Sequence, residues 1–127
     1  MLNVGCLILN KLEKAFNFAI KSIQLYKTMV DQKEFVLSKQ LLKSSTSIGA
    51  NIEEAIAGIS KKDFTAKMSI ASKEERETLY WLKLFQKRKI VDLNYEEHIN
   101  DCIELINILT AIVKTSQFKL KQEIIQH

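Results

Sequence analysis

The chain of 127 residues contains no proline. At a typical usage of about 5%, roughly six would be expected. Proline interrupts helix interiors, and sheet-rich folds draw on it in their turns. Glycine is also scarce, with three residues. A chain so poor in turn-forming residues is not a string of short strands; it reads as a few long helices joined by short loops. Cysteine is limited to Cys6 and Cys102. Two thiols without metal-like or redox-like neighbours do not make a disulfide framework, and they point to a reducing, cytoplasmic setting. No apolar run approaches the roughly 20 residues of a membrane span. The opening "MLNVGCLILN" lacks the basic segment and small-residue cleavage site of a signal peptide. A membrane partner is therefore not expected.

Histidine is the next shortage. Only His98 and His127 occur. A carboxylate-bridged di-iron bundle needs two Glu-x-x-His motifs, and the residue three before His98 is Tyr95. No glycine-rich loop precedes a Lys-Ser/Thr pair as a phosphate cradle requires. The sequence offers no catalytic residue, metal site or cofactor, and we expect a protein that is not an enzyme.

What is present is periodic. Leu12, Phe16, Ala19, Ile23, Tyr26 and Val30 recur at helical spacing, as do Leu37, Leu41, Ser45, Ile48, Ile52, Ala55 and Ile59. Phe64, Met68, Ala71, Glu75, Thr78, Leu82 and Phe85 form a third seam. Ile99, Cys102, Ile106, Leu109, Val113, Ser116 and Leu120 form a fourth. Capping signals separate them. Asp31 with Glu34, Ser60 with Asp63 and Asn94 with Glu97 have the spacing of an N-cap and its partner. Gly58 stands at a helix end, and "QKRK" places cations where a helix C-terminus favours them. These signals predict helices over roughly 10–29, 33–57, 61–89 and 94–122. The expected fold is all-α: one domain over residues 1–127, an antiparallel up-down-up-down four-helix bundle.

The stretch "SSTSIGANIEEAIAG", residues 44–58, is poor helix-forming material inside a helix. Ser45 falls on the second seam, and Glu75 with Thr78 interrupts the third. Both interruptions lie at similar distances from the turn at residues 58–60, so they are placed to meet in a polar layer. The alternative is a set of surface-lying small residues.

Net charge is +4, unevenly spread. Residues 61–91 carry nine Lys or Arg against four Asp or Glu, a net +5, and residues 92–127 carry three against six, a net −3. On a helical wheel at about 100° per residue, Lys62, Lys73, Arg76, Lys83 and Lys87 share one sector with Tyr80, about 130° from the seam. Such a stripe suits phosphate backbones of RNA or DNA, read without regard to sequence. The alternative is a solvated face paired with Glu97, Asp101 and Glu104 of the fourth helix.

Residues 40–82, "QLLKSSTSIGANIEEAIAGISKKDFTAKMSIASKEERETLYWL", resemble the bacterial 23S rRNA intervening-sequence proteins, relatives of the accessory variability determinant of diversity-generating retroelements. Lys43, Ser47, Ile48, Asn51, Ile52 and Glu54 match the R/K-x-x-x-S-I-x-x-N-I-x-E core of that family. Ser60, Lys62, Asp63 and Phe64 match the S-x-K-D-F segment, and Ile70, Ala71, Glu77 and Trp81 the helix that follows. Gly49 and Ala50 stand where a Pro-Ser-type pair is frequent, and "EEAIAG" replaces an "AEG" ending. The resemblance implies a four-helix-bundle protomer in a homopentameric ring, an association with nucleic acid, and no enzymatic activity. Ser47, Asn51, Glu54 and Trp81 from the motif, with Gly49 of the small-residue tract and Glu75 of the third seam, are candidates for packing or interface contacts. Two functions follow as expectations: an oligomeric nucleic-acid-associated adaptor, or a scaffold for protein partners alone.

Overall fold

The computed structural model describes residues 4–126, with side chains from residue 10 to residue 125. The side chain of Cys6 and all of His127 lie outside the described residues. Four helices account for the fold: α1 (Val4–Asp31), α2 (Leu37–Ile56), α3 (Lys61–Arg88) and α4 (Glu96–Gln126). Among the described residues there is no strand. The helices pack as a bundle, α2 against α3, α3 against α4, and α1 against both α2 and α4. Compared with expectation, α1 starts six residues earlier, α2 starts four later, and α4 runs four further. Among the described residues no helix is long and apolar enough to cross a membrane.

The α1 terminus explains the late start of α2. Lys33 adopts a left-handed conformation at φ 66°. Its N–H bonds to the Val30 carbonyl, and the Glu34 N–H bonds to the Met29 carbonyl, both at 2.9 Å. That is a Schellman closure with lysine where glycine is usual. Asp31 therefore belongs to the last turn of α1 and caps nothing. Glu34 does the capping itself, accepting from the backbone N–H of Leu37 at 3.1 Å and of Ser38 at 2.6 Å. Val36, the formal N-cap, has no acceptor to offer. At α3 the Ser60 hydroxyl accepts from the Asp63 N–H as its spacing predicts. At α4, Asn94 accepts from the Glu96 N–H, while the Glu97 carboxylate points away to Lys21.

Gly58 ends the α2 region without a positive φ. A Cβ there would lie 3.0 Å from the Ala55 carbonyl oxygen, so a side chain would require the backbone beside it to give by a few tenths of an ångström. α3 closes on a second left-handed lysine, Lys89, with Lys87 and Arg88 in its last turn. Beyond it Val91 and Tyr95 are buried, and the Tyr95 hydroxyl donates to the Val91 carbonyl, which ties the α3–α4 connection to the core.

The seams of α2, α3 and α4 face the core largely as their spacing predicts. Leu41, Ile48, Ile52, Met68, Leu82, Phe85 and Leu109 are fully buried. Ile59 is the exception, 98% exposed in the α2–α3 turn. The α1 seam is the correction. Phe16 is 64% exposed and Ile23 37%, and Leu12, Ala19, Tyr26 and Val30 are only partly covered. The buried face is a second stripe, Ala15, Phe18, Ser22 and Met29, with Leu25 packed beside it. Both stripes have 3–4 spacing, and a helix carrying two must leave one outside its own bundle.

Candidate nucleic-acid interface

The small-residue tract of α2 satisfies most of its own polarity. Ser44, Ser45, Thr46 and Ser47 bond to carbonyls three or four residues back in their own helix, and the Asn51 amide donates to the Ser47 carbonyl at 2.8 Å. Of its hydroxyls, Ser44 also meets α3: the Thr78 hydroxyl lies 2.8 Å from Ser44 Oγ. Glu75 extends this polar layer toward α4. It is fully buried, and the Cys102 thiol donates to its Oε1 at 3.0 Å, while Oε2 has no partner. Burial raises the Glu75 carboxyl to about pH 7 from the ordinary 4.5, and the thiol bond offsets part of that rise. Burial and the adjacent carboxylate together push the Cys102 thiol well above its ordinary value, which leaves it protonated and a poor nucleophile.

Sequence reasoning did not find the matching polar contact between α1 and α4. His98 stacks on Phe18 with ring centroids 4.4 Å apart, and its Nε2 lies 2.8 Å from the Ser22 hydroxyl. With the Ser22 proton directed to the Phe18 carbonyl at 3.0 Å, the tautomer satisfying both is Nε2–H. Burial lowers His98 to about pH 4. The available signal was Ser22 at seam spacing, four before Tyr26 and outranked by the more apolar stripe beside it.

The motif residues do not converge. Gly49 faces Ala15 of α1 at a would-be Cβ distance of 4.0 Å. Glu54 pairs with Lys67 of α3 at 3.1 Å. Trp81 is half-buried between Tyr80 and Phe85, with its indole N–H unpartnered. They serve three different contacts rather than one pocket.

The cations of α3 do share a face. Lys62, Lys73, Arg76, Lys83 and Lys87 are all exposed. At 1.5 Å per residue, Lys73 to Lys87 spans about 21 Å, with Lys62 roughly 16 Å beyond one end. The Arg76 guanidinium donates to the Thr110 hydroxyl of α4 at 2.9 Å, which holds it against the bundle with donors to spare. The pairing envisaged with the acidic residues of α4 does not form. Lys21 of α1 takes Glu97 and Asp101, at 3.1 and 2.9 Å, and Lys14 takes Glu104. Among the described residues none of the five stripe cations makes an ion pair. Also among the described residues, no three His, Cys, Asp or Glu side chains gather to share a metal ion.

On the opposite side, Leu12, Phe16 and Ala19 of α1 and Gly49 and Ala50 of α2 line an open apolar groove of about 430 Å³, with Glu13 and Glu53 at its margin. The small residues of α2 form its floor.

The described residues thus form a helical bundle with a buried polar layer, a cationic face on α3 and an apolar groove between α1 and α2. The profile of the 23S rRNA-intervening sequence proteins matches residues 9–111, and the chain belongs to that family. A crystal structure of a protein of unknown function from the S23 ribosomal protein family of Bacteroides thetaiotaomicron is similar to it, at 44% identity and a TM-score of 0.80. The match covers 84% of this chain and 97% of that one. No curated protein matches the chain.

Proposed function

We propose that the protein is a non-enzymatic, cytoplasmic, homo-oligomeric adaptor that holds nucleic-acid backbones along α3. The observation that carries this reading is the unpaired cationic face. Glu97, Asp101 and Glu104 of α4 are drawn to α1, so Lys62, Lys73, Arg76, Lys83 and Lys87 face solvent without an ion pair among the described residues. Contacts of this kind are weak singly and gain from repetition. The assembly we adopt is the homopentameric ring of up-down-up-down bundles that the resemblance implies. It is supported by the outward apolar stripe of α1 and the groove beside it, since an exposed apolar band on a helical protein marks an interaction surface. Being encoded within an rRNA gene would not make such a protein part of the ribosome.

The same groove favours a second reading, a scaffold for protein partners without nucleic-acid affinity. Light scattering, alone and with RNA or DNA duplex across a salt series, separates them. The adaptor forms a pentamer whose affinity falls steeply with salt, and replacing Lys73, Arg76 and Lys83 by alanine flattens the slope by about 2–3. A pentamer indifferent to nucleic acid assigns the function to protein partners, and a monomer rules out both.

A further inference from the structure

The cationic face of α3 has an aromatic at its centre. Tyr80 is 60% exposed. It follows Lys73 by seven residues and Arg76 by four, and precedes Lys83 by three and Lys87 by seven, the spacings that share one side of a helix. Its ring is held in place by Trp81, edge-to-face at a centroid distance of 5.1 Å and an interplanar angle of 73°. Trp81 in turn stacks on the fully buried Phe85, and Phe85 meets Tyr95. The exposed ring is thus the outer end of a row of aromatics anchored in the core.

We propose that this face binds single-stranded nucleic acid in preference to duplex, with Tyr80 as the platform on which an unpaired base stacks. This rests on the adaptor reading and adds the class of strand. In a duplex the bases are stacked on one another, so a side chain among phosphate-binding cations meets only backbone. A single strand presents phosphates and free base faces together. An aromatic flanked along the helix by cations matches both, and stacking does not depend on which base is offered. Arg76, held by Thr110, keeps a planar cation one turn from the ring.

The protein carries one tryptophan, and it touches Tyr80, so its fluorescence reports on the site. Titration of the full chain with short oligouridylate, the matching oligothymidylate and a mixed-sequence duplex, at one fixed salt, tests the proposal. Single strands should bind at least tenfold more tightly than duplex and quench Trp81. Tyr80→Leu should abolish that preference and leave duplex binding unchanged, and Tyr80→Phe should restore it. RNA and DNA single strands binding alike supports stacking that does not depend on the sugar; retention of the preference in Tyr80→Leu overturns it. If the alanine variant of Lys73, Arg76 and Lys83 weakens all three ligands while Tyr80→Leu alters none, the face is a phosphate contact only, and the adaptor reading survives without this proposal. If the wild-type protein binds no oligonucleotide, both are overturned.

Discussion

The outward faces of α1 and α3 differ in kind, although both helices belong to one small bundle. α1 turns Phe16, Ile20 and Ile23 to solvent, beside a groove floored by Gly49 and Ala50. α3 turns Lys73, Arg76, Lys83 and Lys87 outward around Tyr80. The charges of α4 sharpen the contrast, because Glu97, Asp101 and Glu104 pair with Lys14 and Lys21 of α1. Lys14 and Lys21 of α1 are therefore ion-paired while its outward stripe is bare and apolar, whereas on α3 Lys61 and Lys67 are paired and the five stripe cations are not. An apolar face is suited to association with protein, and an uncompensated cationic one to a polyanion.

The sharpest way to break this comparison is to truncate two neighbouring phenylalanines of α1. Phe18 is buried against His98, and Phe16 lies in the groove. Phe18→Ala should cost about 3–5 kcal/mol of protomer stability in urea unfolding. Phe16→Ala should cost well under 1 kcal/mol in a monomeric background, since little area is lost from water-excluded packing. It should instead lower the mass seen by light scattering. Equal losses of stability would show that the outward stripe is not outward.

Glu75 and His98, both buried and shifted in opposite directions, should oppose each other. The fold holds Glu75 near pH 7 against 4.5, so it binds that proton more tightly than the unfolded chain does. The contribution is full below about 4.5 and is lost as pH rises through 7. His98 is held near pH 4 against 6.5, with Asp101, Glu97 and Lys21 around it. Its contribution is full above about 6.5 and is lost as pH falls through 4. Each amounts to about 3 kcal/mol, and over the shared window they cancel. Relative to wild type, Glu75→Gln should make stability fall on acidification, and His98→Gln should make it rise. Parallel profiles for the two variants would refute the opposition.

Smaller effects belong to the turns that set the helices in place. Gly58→Ala should destabilise by about 1 kcal/mol, because its Cβ would press on the Ala55 carbonyl. Lys33→Gly should stabilise by about 0.5–1 kcal/mol by relieving a left-handed lysine, read as a shift in thermal midpoint. These changes leave both outward faces intact, so neither assembly nor strand preference should move.

Much of this was legible beforehand. The seams of α2, α3 and α4, the Ser60 cap and a polar layer between α2 and α3 follow from spacing, because side chains three and four apart share a face whatever the helix touches, although the residue that meets Thr78 is Ser44 and not the seam residue Ser45. The exposure of the α3 cations follows from the same wheel. The face chosen by α1 was not legible. Its two stripes have the same period, and the more apolar one lost the core to Ala15, Phe18, Ser22 and Met29. The Asp31 cap failed similarly, because a left-handed Lys33 extended α1 past it.

Absence of proline, scarcity of glycine and a helical hydrophobic period by themselves determined a protein of four long helices with a polar interruption at mid-seam. Local backbone preference and side-chain period need no partner to act. Only the tertiary structure decided which stripe of α1 is buried, that Glu97, Asp101 and Glu104 of α4 answer α1 rather than the cationic stripe of α3, and that Cys102 meets Glu75. Those choices depend on distances between residues far apart in the chain, where competing faces differ by little free energy until all four helices are packed together.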